Sequence, residues 1–400
     1  MSPLGVIVAI VLVDLLGFTI VMPLLAPLAR HYGFDGLQIG LLFAAFPLCQ
    51  LVAAPILGRL SDRHGRRPVL ILCQLGTALS FVALASTKDF RWMLLARAVD
   101  GALGGNILVA QAYVADVTKP EERSRGLGLI GMAFGLGFVA GPLLGGLLVS
   151  LPVGPDWSIR IPFLVAGGFS ALAAVLAWAW LPESRPTGRK PARVATWRGI
   201  TNTLGTPRVG RLVVVGALVA LAFAALEGTF SLYLAARLGW SSRDAAFGFA
   251  GLGLVVAIVQ GGMIRRLVPR FGEPRLIIIG AATLAAGLAV MAAARGPGLL
   301  ALAVVLVGVG QGLASPTVSG LLSRLTPDDD QGAVFGTYTS AQTLARLVNY
   351  MAANLLLARF SAAAPFWEAA AIALAATALA YGVARRVPEA VELAASPASR

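Results

Sequence analysis

The chain has 400 residues, 58% of them hydrophobic and 13% charged, against about 25% charged in an ordinary soluble domain. With a mean hydropathy of +0.81, that composition excludes a soluble globular protein and implies one whose solvent is lipid. The net charge of +13 does not indicate nucleic acid: such a surface needs one contiguous basic patch with aromatics between the charges, and the basic residues here are scattered over short loops.

A helix needs about 20 apolar residues to cross the roughly 30 Å hydrocarbon core. Runs of that kind fall at about 4–29, 38–60, 68–86, 92–115, 126–150, 159–181, 209–236, 244–264, 274–294, 298–322, 333–357 and 364–384. The expected fold is therefore an all-α membrane protein with twelve transmembrane helices. The first run is too long for a removable signal peptide, and too poor in an upstream basic region and a cleavage site, so it is expected to remain as the first span. Counted by alternate loops, Lys and Arg number 22 on one side and 8 on the other, with 2 inside spans. The positive-inside rule places the richer side, and both termini, in the cytoplasm.

Taken in chain order, the first run carries Asp14 about ten residues in, hence roughly 15 Å deep at 1.5 Å per residue, with Phe18 one turn further on. Between the second and third runs lies "GRLSDRHGRRPVL", residues 58–70, with Gly58, Asp62, Arg63, Gly65, Arg66 and Arg67. Its arginines hold the loop on the cytoplasmic side. Asp62 has a different task, because a carboxylate is favoured beside a helix N-terminus. The fourth run contains "RAVDG", in which Arg97 and Asp100 are three apart and share a face, followed by Asn106. Either the two neutralise each other in a structural ion pair, or Arg97 tunes a titrating acid, since burial and a nearby guanidinium act on a carboxyl in opposite directions. The next basic loop includes Arg123. The fifth run reads "GLIGMAFGLGFVAGPLLGG", where Gly128, Gly137, Gly141, Gly145 and Gly146 bare a stripe of backbone to a neighbouring helix and Pro142 favours a kink.

Residues 182–208, rich in proline and basic side chains, read as a cytoplasmic linker. They separate a first bundle of six spans (1–181) from a second (209–384), with a short tail at 385–400. Internal repetition supports the division: "RHGRRP" at 63–68 echoes in "RFGEPR" at 270–275, and "TKPEERSRGLG" at 118–128 in "TPDDDQGAVFG" at 326–336. Two such repeats are the arrangement in which transporters place a site near the midplane. The second set of spans carries Glu227, Tyr233, Gln311, Arg346 and Asn349. An ionised side chain at mid-bilayer costs about 2.5–3.5 kcal/mol, so Asp14, Arg97, Asp100, Glu227 and Arg346 are functional candidates. The polar and aromatic remainder, Phe18, Asn106, Tyr233, Gln311 and Asn349, line a wet cavity or bond across helices.

Other chemistry finds no support. Cys49 and Cys73 lie inside separate spans with no disulfide framework or CxxC pattern. His31 and His64 are scattered, so a catalytic zinc site with about three protein ligands is not expected. "GVGQG" at 308–312 lies mid-span, and no GxxxxGK[ST] occurs, which leaves no nucleotide motif.

"GRLSDRHGRRP" resembles the G-x-x-x-D-R-x-G-R-R motif of the major facilitator superfamily. The fifth run resembles the G-x8-G-x3-G-P-x2-G-G pattern of its drug/proton antiporter branch, filled by Gly128, Gly137, Gly141, Pro142, Gly145 and Gly146. "VDLLGFTIVMPLLAPL" is similar to the first helix of tetracycline/proton antiporters, with Asp14 on their membrane aspartate and Arg97 on the fourth-helix arginine. The resemblance implies two six-helix bundles working by alternating access, with Asp14, Arg97 and Asp100 in proton coupling. It implies that Gly58, Asp62, Arg63, Gly65, Arg66, Arg67 and Arg123 form a cytoplasmic gate, with Asp62 meeting the eleventh helix near Gly332. The expected activity is proton-coupled export of small amphipathic compounds across a bacterial inner membrane, by a monomer with protons as coupling ion and no resident cofactor. A symporter or facilitator for sugars or other metabolites is the alternative. Asp100 stands where the family commonly has a neutral residue, and the second half diverges more than the first.

Overall fold

The computed structural model describes residues 2–118, 123–184, 203–327 and 331–384, with the side chains of 115, 123–128 and 384 outside the description. The tail at 385–400 and most of the expected linker fall outside it as well. Among the described residues all regular structure is helical. Eleven helices are long and apolar enough to cross a membrane. They include α1 (Pro3–His31), α2 (Gly36–His64), α3 (Arg66–Ser86), α6 (Pro155–Trp180), α7 (Pro207–Leu238), α8 (Ser242–Phe271), α9 (Glu273–Ala293) and α10 (Pro297–Leu325). The others are α4, in segments Phe90–Leu103 and Asn106–Val117, α5 (Arg123–Val149) and α12 (Ala364–Ala384). The twelfth, α11 (Gln331–Arg359), has 29 residues and so the length to span. Gln342, Thr343, Arg346 and Asn349 leave it more polar than the eleven, although its run at 333–357 reads as a span in the sequence.

Three spans are interrupted, each with a local cause. Helical turns stop in α1 between Val21 and Leu25, where Pro23 and Pro27 each remove a backbone donor. The break in α4 falls on Gly104–Gly105. In α8 a π-turn occupies Val259–Met263, the form in which an extra residue is accommodated within a helix.

The chain divides into two compact units. Unit 1 comprises Met1–Arg193, Glu227–Leu254 and Tyr350–Ala362; unit 2 comprises Val194–Leu226, Val255–Asn349 and Ala363–Arg400. In unit 1, α1 packs on α5 and α6, α3 on α4 and α6, and α2 on α4, around Ile7, Ile10, Leu15, Cys73 and Tyr113. In unit 2, α9 packs on α10 and α12. Lipid is as apolar as leucine, so what favours these contacts is close van der Waals approach rather than escape from water. Val52, Ile56, Leu79 and Trp178 are left exposed, as side chains facing lipid would be.

The repeat read in the sequence has a structural counterpart in each unit. Gly65, before α3, has φ 99° and ψ 157°, and Gly272, 207 residues on and before α9, has φ 73° and ψ 154°. The following residue is Arg66 in one copy and Glu273 in the other, and each forms an ion pair: Arg66 with Asp116 at 3.1 Å, Glu273 with Arg324 at 3.4 Å. The two copies carry the same pair with its polarity reversed.

Candidate functional site

Unit 1 brings the membrane charges of the first and fourth spans together. Asp14, Arg97, Asp100 and Asn106 are all buried. Asn106 opens the second segment of α4, so the Gly104–Gly105 break aims its side chain across the bundle, where Nδ2 donates to Asp14 Oδ2 at 2.6 Å. Ile107 N donates back to Asn106 Oδ1 at 2.7 Å, which fixes the amide. Arg97 Nη1 lies 2.6 Å from Asp100 Oδ2, the pairing expected from their three-residue spacing. From α3, Gln74 lies beside Asp14 and Thr77 beside Asp100. The Thr77 hydroxyl is buried next to the Asp100 carboxyl. Phe18 is at the same level, its ring 5.4 Å from that of Phe46.

At the end of unit 1 remote from the GRLSDRHGRRP loop, segments of α7, α8 and α11 pack on α1, α2 and α5. Two of these contacts fall on carbonyls that proline has freed. Pro27 leaves the Pro23 carbonyl without its helical donor, and Ser231 of α7 supplies one at 2.6 Å. Pro142 does the same for Phe138, and there Gly253 of α8 comes so near that a Cβ would stand 2.3 Å from the oxygen. On α2, Gly36 and Gly40 lie against Asn354 and Tyr350 of α11. Tyr350 donates to Glu227 Oε2 at 2.8 Å in a buried setting, while Tyr233 is fully buried.

The α5 stripe divides its contacts. Gly137, Gly141 and Gly145 face Leu15, Thr19 and Ile20 of α1, and Gly146 faces Ala246 and Phe247 of α8. Thr19 Oγ1 donates to the Gly137 carbonyl at 2.8 Å, drawing the two backbones together. The side-chain surroundings of Gly128 and Arg123 lie outside the described residues.

In the loop after α2, Arg66 is buried and is no solvated topology charge. It pairs with Asp62 at 2.8 Å and Asp116 at 3.1 Å, and its Nη1 bonds Ser61 Oγ at 2.6 Å. Arg67 donates to the carbonyls of Ala177 and Trp178 at the end of α6. Glu183, just after α6, accepts from the backbone N–H groups of Arg66 and Arg67 at 2.8 and 3.1 Å, capping the positive end of α3. Gly58 is open on its Cβ side, and Arg63 lies in the last turn of α2. Asp116 and Glu183 escape sequence reading; the signal available for Glu183 was its being the single acid of the basic segment 182–208, and Asp116 had none.

Unit 2 holds the other polar candidates. Asn349 Nδ2 donates to the Leu221 carbonyl of α7 at 2.5 Å. Asn349 Oδ1 and Gln311 Oε1 are buried without partners. Arg346 acts electrostatically on Tyr338, whose hydroxyl accepts from Gln342 at 2.9 Å. Glu368 of α12 lies beside Asn349 and is a further membrane carboxyl that sequence reading passed over.

Long, apolar, interrupted helices with buried carboxylates and a buried arginine define a polytopic membrane transporter. The chain belongs to the Major Facilitator Superfamily, whose sequence model matches residues 7–348 and 265–399. It is 32% identical over 374 residues to the class C tetracycline resistance protein of Escherichia coli, covering 92% of each chain. It is 29% identical over 386 residues to human major facilitator superfamily domain-containing protein 10, covering 84% of this chain and 83% of that protein. The crystal structure of the human organic anion transporter MFSD10 superposes with a TM-score of 0.72 at 28% identity, over 94% of this chain and 98% of that one. A D-xylose-proton symporter, at 17% identity, shares the fold with a TM-score of 0.77 over 94% and 97%. These relatives are transporters rather than enzymes.

Proposed function

We propose that the protein is a proton-coupled antiporter that exports small amphipathic organic compounds, drugs among them, by alternating access. The observation that carries this reading is the buried pairing of Asp14 with Asn106 and of Asp100 with Arg97; resemblance to tetracycline resistance proteins supports the substrate class. Protonating Asp100 removes the charge that holds Arg97. Protonating Asp14 turns an acceptor facing the Asn106 amide into a neutral acid. Each acid therefore has a charged and a neutral arrangement, as an exchanger of protons for substrate requires. One charge crossing about 100 mV yields about 2.3 kcal/mol, enough to drive accumulation outside. On this reading the protein works as a monomer in a bacterial cytoplasmic membrane, both termini inside, with protons as its only coupling species. The excess of Lys and Arg on alternate loops supports that orientation.

Everted membrane vesicles test it. With an acidified lumen, tetracycline should enter and the lumen should lose acid as it does so. Substrate driven outward by the same gradient would indicate symport, and drug movement indifferent to the gradient would refute coupling. An organic anion run in parallel tests the substrate chemistry named for the human relative.

A further inference from the structure

The end of α8 is built unlike the rest of that span. Beyond the π-turn, Ile264–Phe271 has no buried residue. Ile264, Leu267, Val268 and Phe271 are spaced i, i+3, i+4 and i+7, which puts them on one helix face. Arg265, Arg266 and Arg270 take the opposite face, all three exposed, with the Arg270 guanidinium 5.5 Å from the Phe271 ring centroid. Arg275, in the first turn of α9, is exposed too, and Arg324, at the end of α10, is 69% exposed. From residue 245 to residue 327 the sequence holds one acid, Glu273. That acid is withdrawn: it is 8% exposed, held by Arg324 at 3.4 Å, and its Oε1 lies 2.6 Å from where a Cβ on Gly320 would stand. The first copy of the repeat uses its arginines internally, Arg66 on Asp62 and Asp116 and Arg67 on the carbonyls that end α6. In the second copy Pro269 stands in the place of Asp62, so the acid on that helix is gone while its arginines remain.

We propose that Ile264–Phe271, together with Arg275 and Arg324, is a binding surface for anionic phospholipid of the membrane the protein spans. The segment directly continues a helix long and apolar enough to cross the bilayer, so it emerges at the level of the headgroups. An amphipathic stretch at that depth lies with its apolar face among the upper acyl chains and its arginines among the headgroups. Guanidinium groups meet phosphate oxygens through paired, charge-assisted hydrogen bonds. The positive-inside rule accounts for basic residues at this end, but it is indifferent to the helix face that carries them. The apolar spacing opposite the arginines and the withdrawal of Glu273 are what a lipid surface adds to that rule. The π-turn supplies the orientation: one extra residue turns the helix beyond it by about 100°, which sets the apolar face of the segment apart from the face that the rest of α8 presents. Bound lipid holds the α8–α9 corner at the bilayer surface. The inference does not depend on proton coupling or on what is transported.

Native mass spectrometry of the full-length protein, titrated with phosphatidylglycerol and with phosphatidylcholine, reads the preference as the ratio of the two dissociation constants. The parent should prefer phosphatidylglycerol, and less so as salt rises. One arginine at an anionic surface changes binding about fivefold, so Arg265→Gln, Arg266→Gln and Arg270→Gln combined should lower the preference on the order of 100-fold. The same three positions changed to lysine keep the charge and should keep most of the preference. Arg295→Gln, past the other end of α9, should leave it unchanged. Depth is read separately, with Cys49 and Cys73 replaced by alanine and a spin label at Leu267 or at Arg266 in phosphatidylglycerol nanodiscs. The label at Leu267 should be relaxed by oxygen dissolved in lipid, and the label at Arg266 by an aqueous nickel chelate. A parent without preference, a glutamine triple that retains it, an equal loss in the lysine triple or in Arg295→Gln, or equal aqueous exposure of both labels overturns the proposal. Retention in the glutamine triple would assign the arginines to an acidic protein partner instead, the aspartates at 328–330 or a second copy of the chain.

Discussion

Gly65→Ala, alone and combined with Glu183→Ala, tests whether the loop before α3 is built around a carboxylate cap. Gly65, at φ 99° and ψ 157°, occupies a region that is essentially glycine's alone, and another residue there costs about 1–3 kcal/mol. An alanine Cβ would also lie 2.4 Å from Glu183 Oε2, so the carboxylate must leave the two N–H groups it holds. Loss of a helix N-cap costs about 0.5–2 kcal/mol. Gly65→Ala should therefore destabilise by roughly 1.5–5 kcal/mol, both terms included, and Glu183→Ala by about 0.5–2 kcal/mol. Because the same cap is lost in each, the double variant should cost little more than Gly65→Ala, leaving a coupling of about 0.5–2 kcal/mol. Gly272 is the internal control. Its backbone is similar, φ 73° and ψ 154°, but a Cβ there meets nothing closer than Pro274 Cδ at 3.8 Å, so Gly272→Ala should show the backbone cost alone. Unfolding by SDS titration in mixed micelles, followed by tryptophan fluorescence, measures all four. Strict additivity of Gly65→Ala and Glu183→Ala, or a Gly272→Ala cost equal to that of Gly65→Ala, would refute the reasoning.

The polarity-reversed ion pairs should differ in strength. Arg66→Ala leaves Asp62 with its side chain 8% exposed and Asp116 at 28% without their cation, and should cost near the lower end of ~3–5 kcal/mol. Arg324→Ala, where the arginine is 69% exposed and its partner Glu273 8%, removes a solvent-screened cation from one acid rather than a buried one from two, and should cost less than Arg66→Ala in the same titration. Gly141→Ala places a Cβ 1.9 Å from Thr19 Oγ1, which is itself held by the carbonyls of Leu15 and Gly137. It should lower stability by ~1–3 kcal/mol, part of which Thr19→Ala recovers; a neutral Gly141→Ala would mean α1 and α5 yield freely. Asp62→Asn should leave the protein folded, since Asp116 still holds Arg66, and slow transport in proteoliposomes; unchanged kinetics would count against its gating role.

Local features were legible in the sequence because they obey short-range rules. Twenty apolar residues mark a span, and the three-residue spacing of Arg97 and Asp100 put them on one face, where they pair at 2.6 Å. The 207-residue echo led to Gly65 and Gly272, two glycines with matching backbones. What sequence could not supply were partners chosen by the fold. Asn106 meets Asp14 across 92 positions, and Glu183 caps a helix that begins 117 positions earlier. No periodicity encodes either contact. Tyr350 was passed over because a tyrosine in an apolar run reads as packing, and only the contact with Glu227 gives its hydroxyl a task. The α5 glycine stripe was legible as a stripe but not its neighbours: within unit 1 Gly137, Gly141 and Gly145 are occupied by α1, and Gly146 by α8.

The most direct test of proton exchange at Asp14 and Asp100 is proton release when substrate binds. Purified protein in weakly buffered detergent solution is mixed with tetracycline in the presence of a pH indicator, first as the parent and then as Asp14→Asn, Asp100→Asn and the double variant. Protons should leave the parent on binding, fewer should leave each single variant, and none the double variant, with binding itself retained. Undiminished release from the double variant would place the exchanging acid elsewhere and contradict the account.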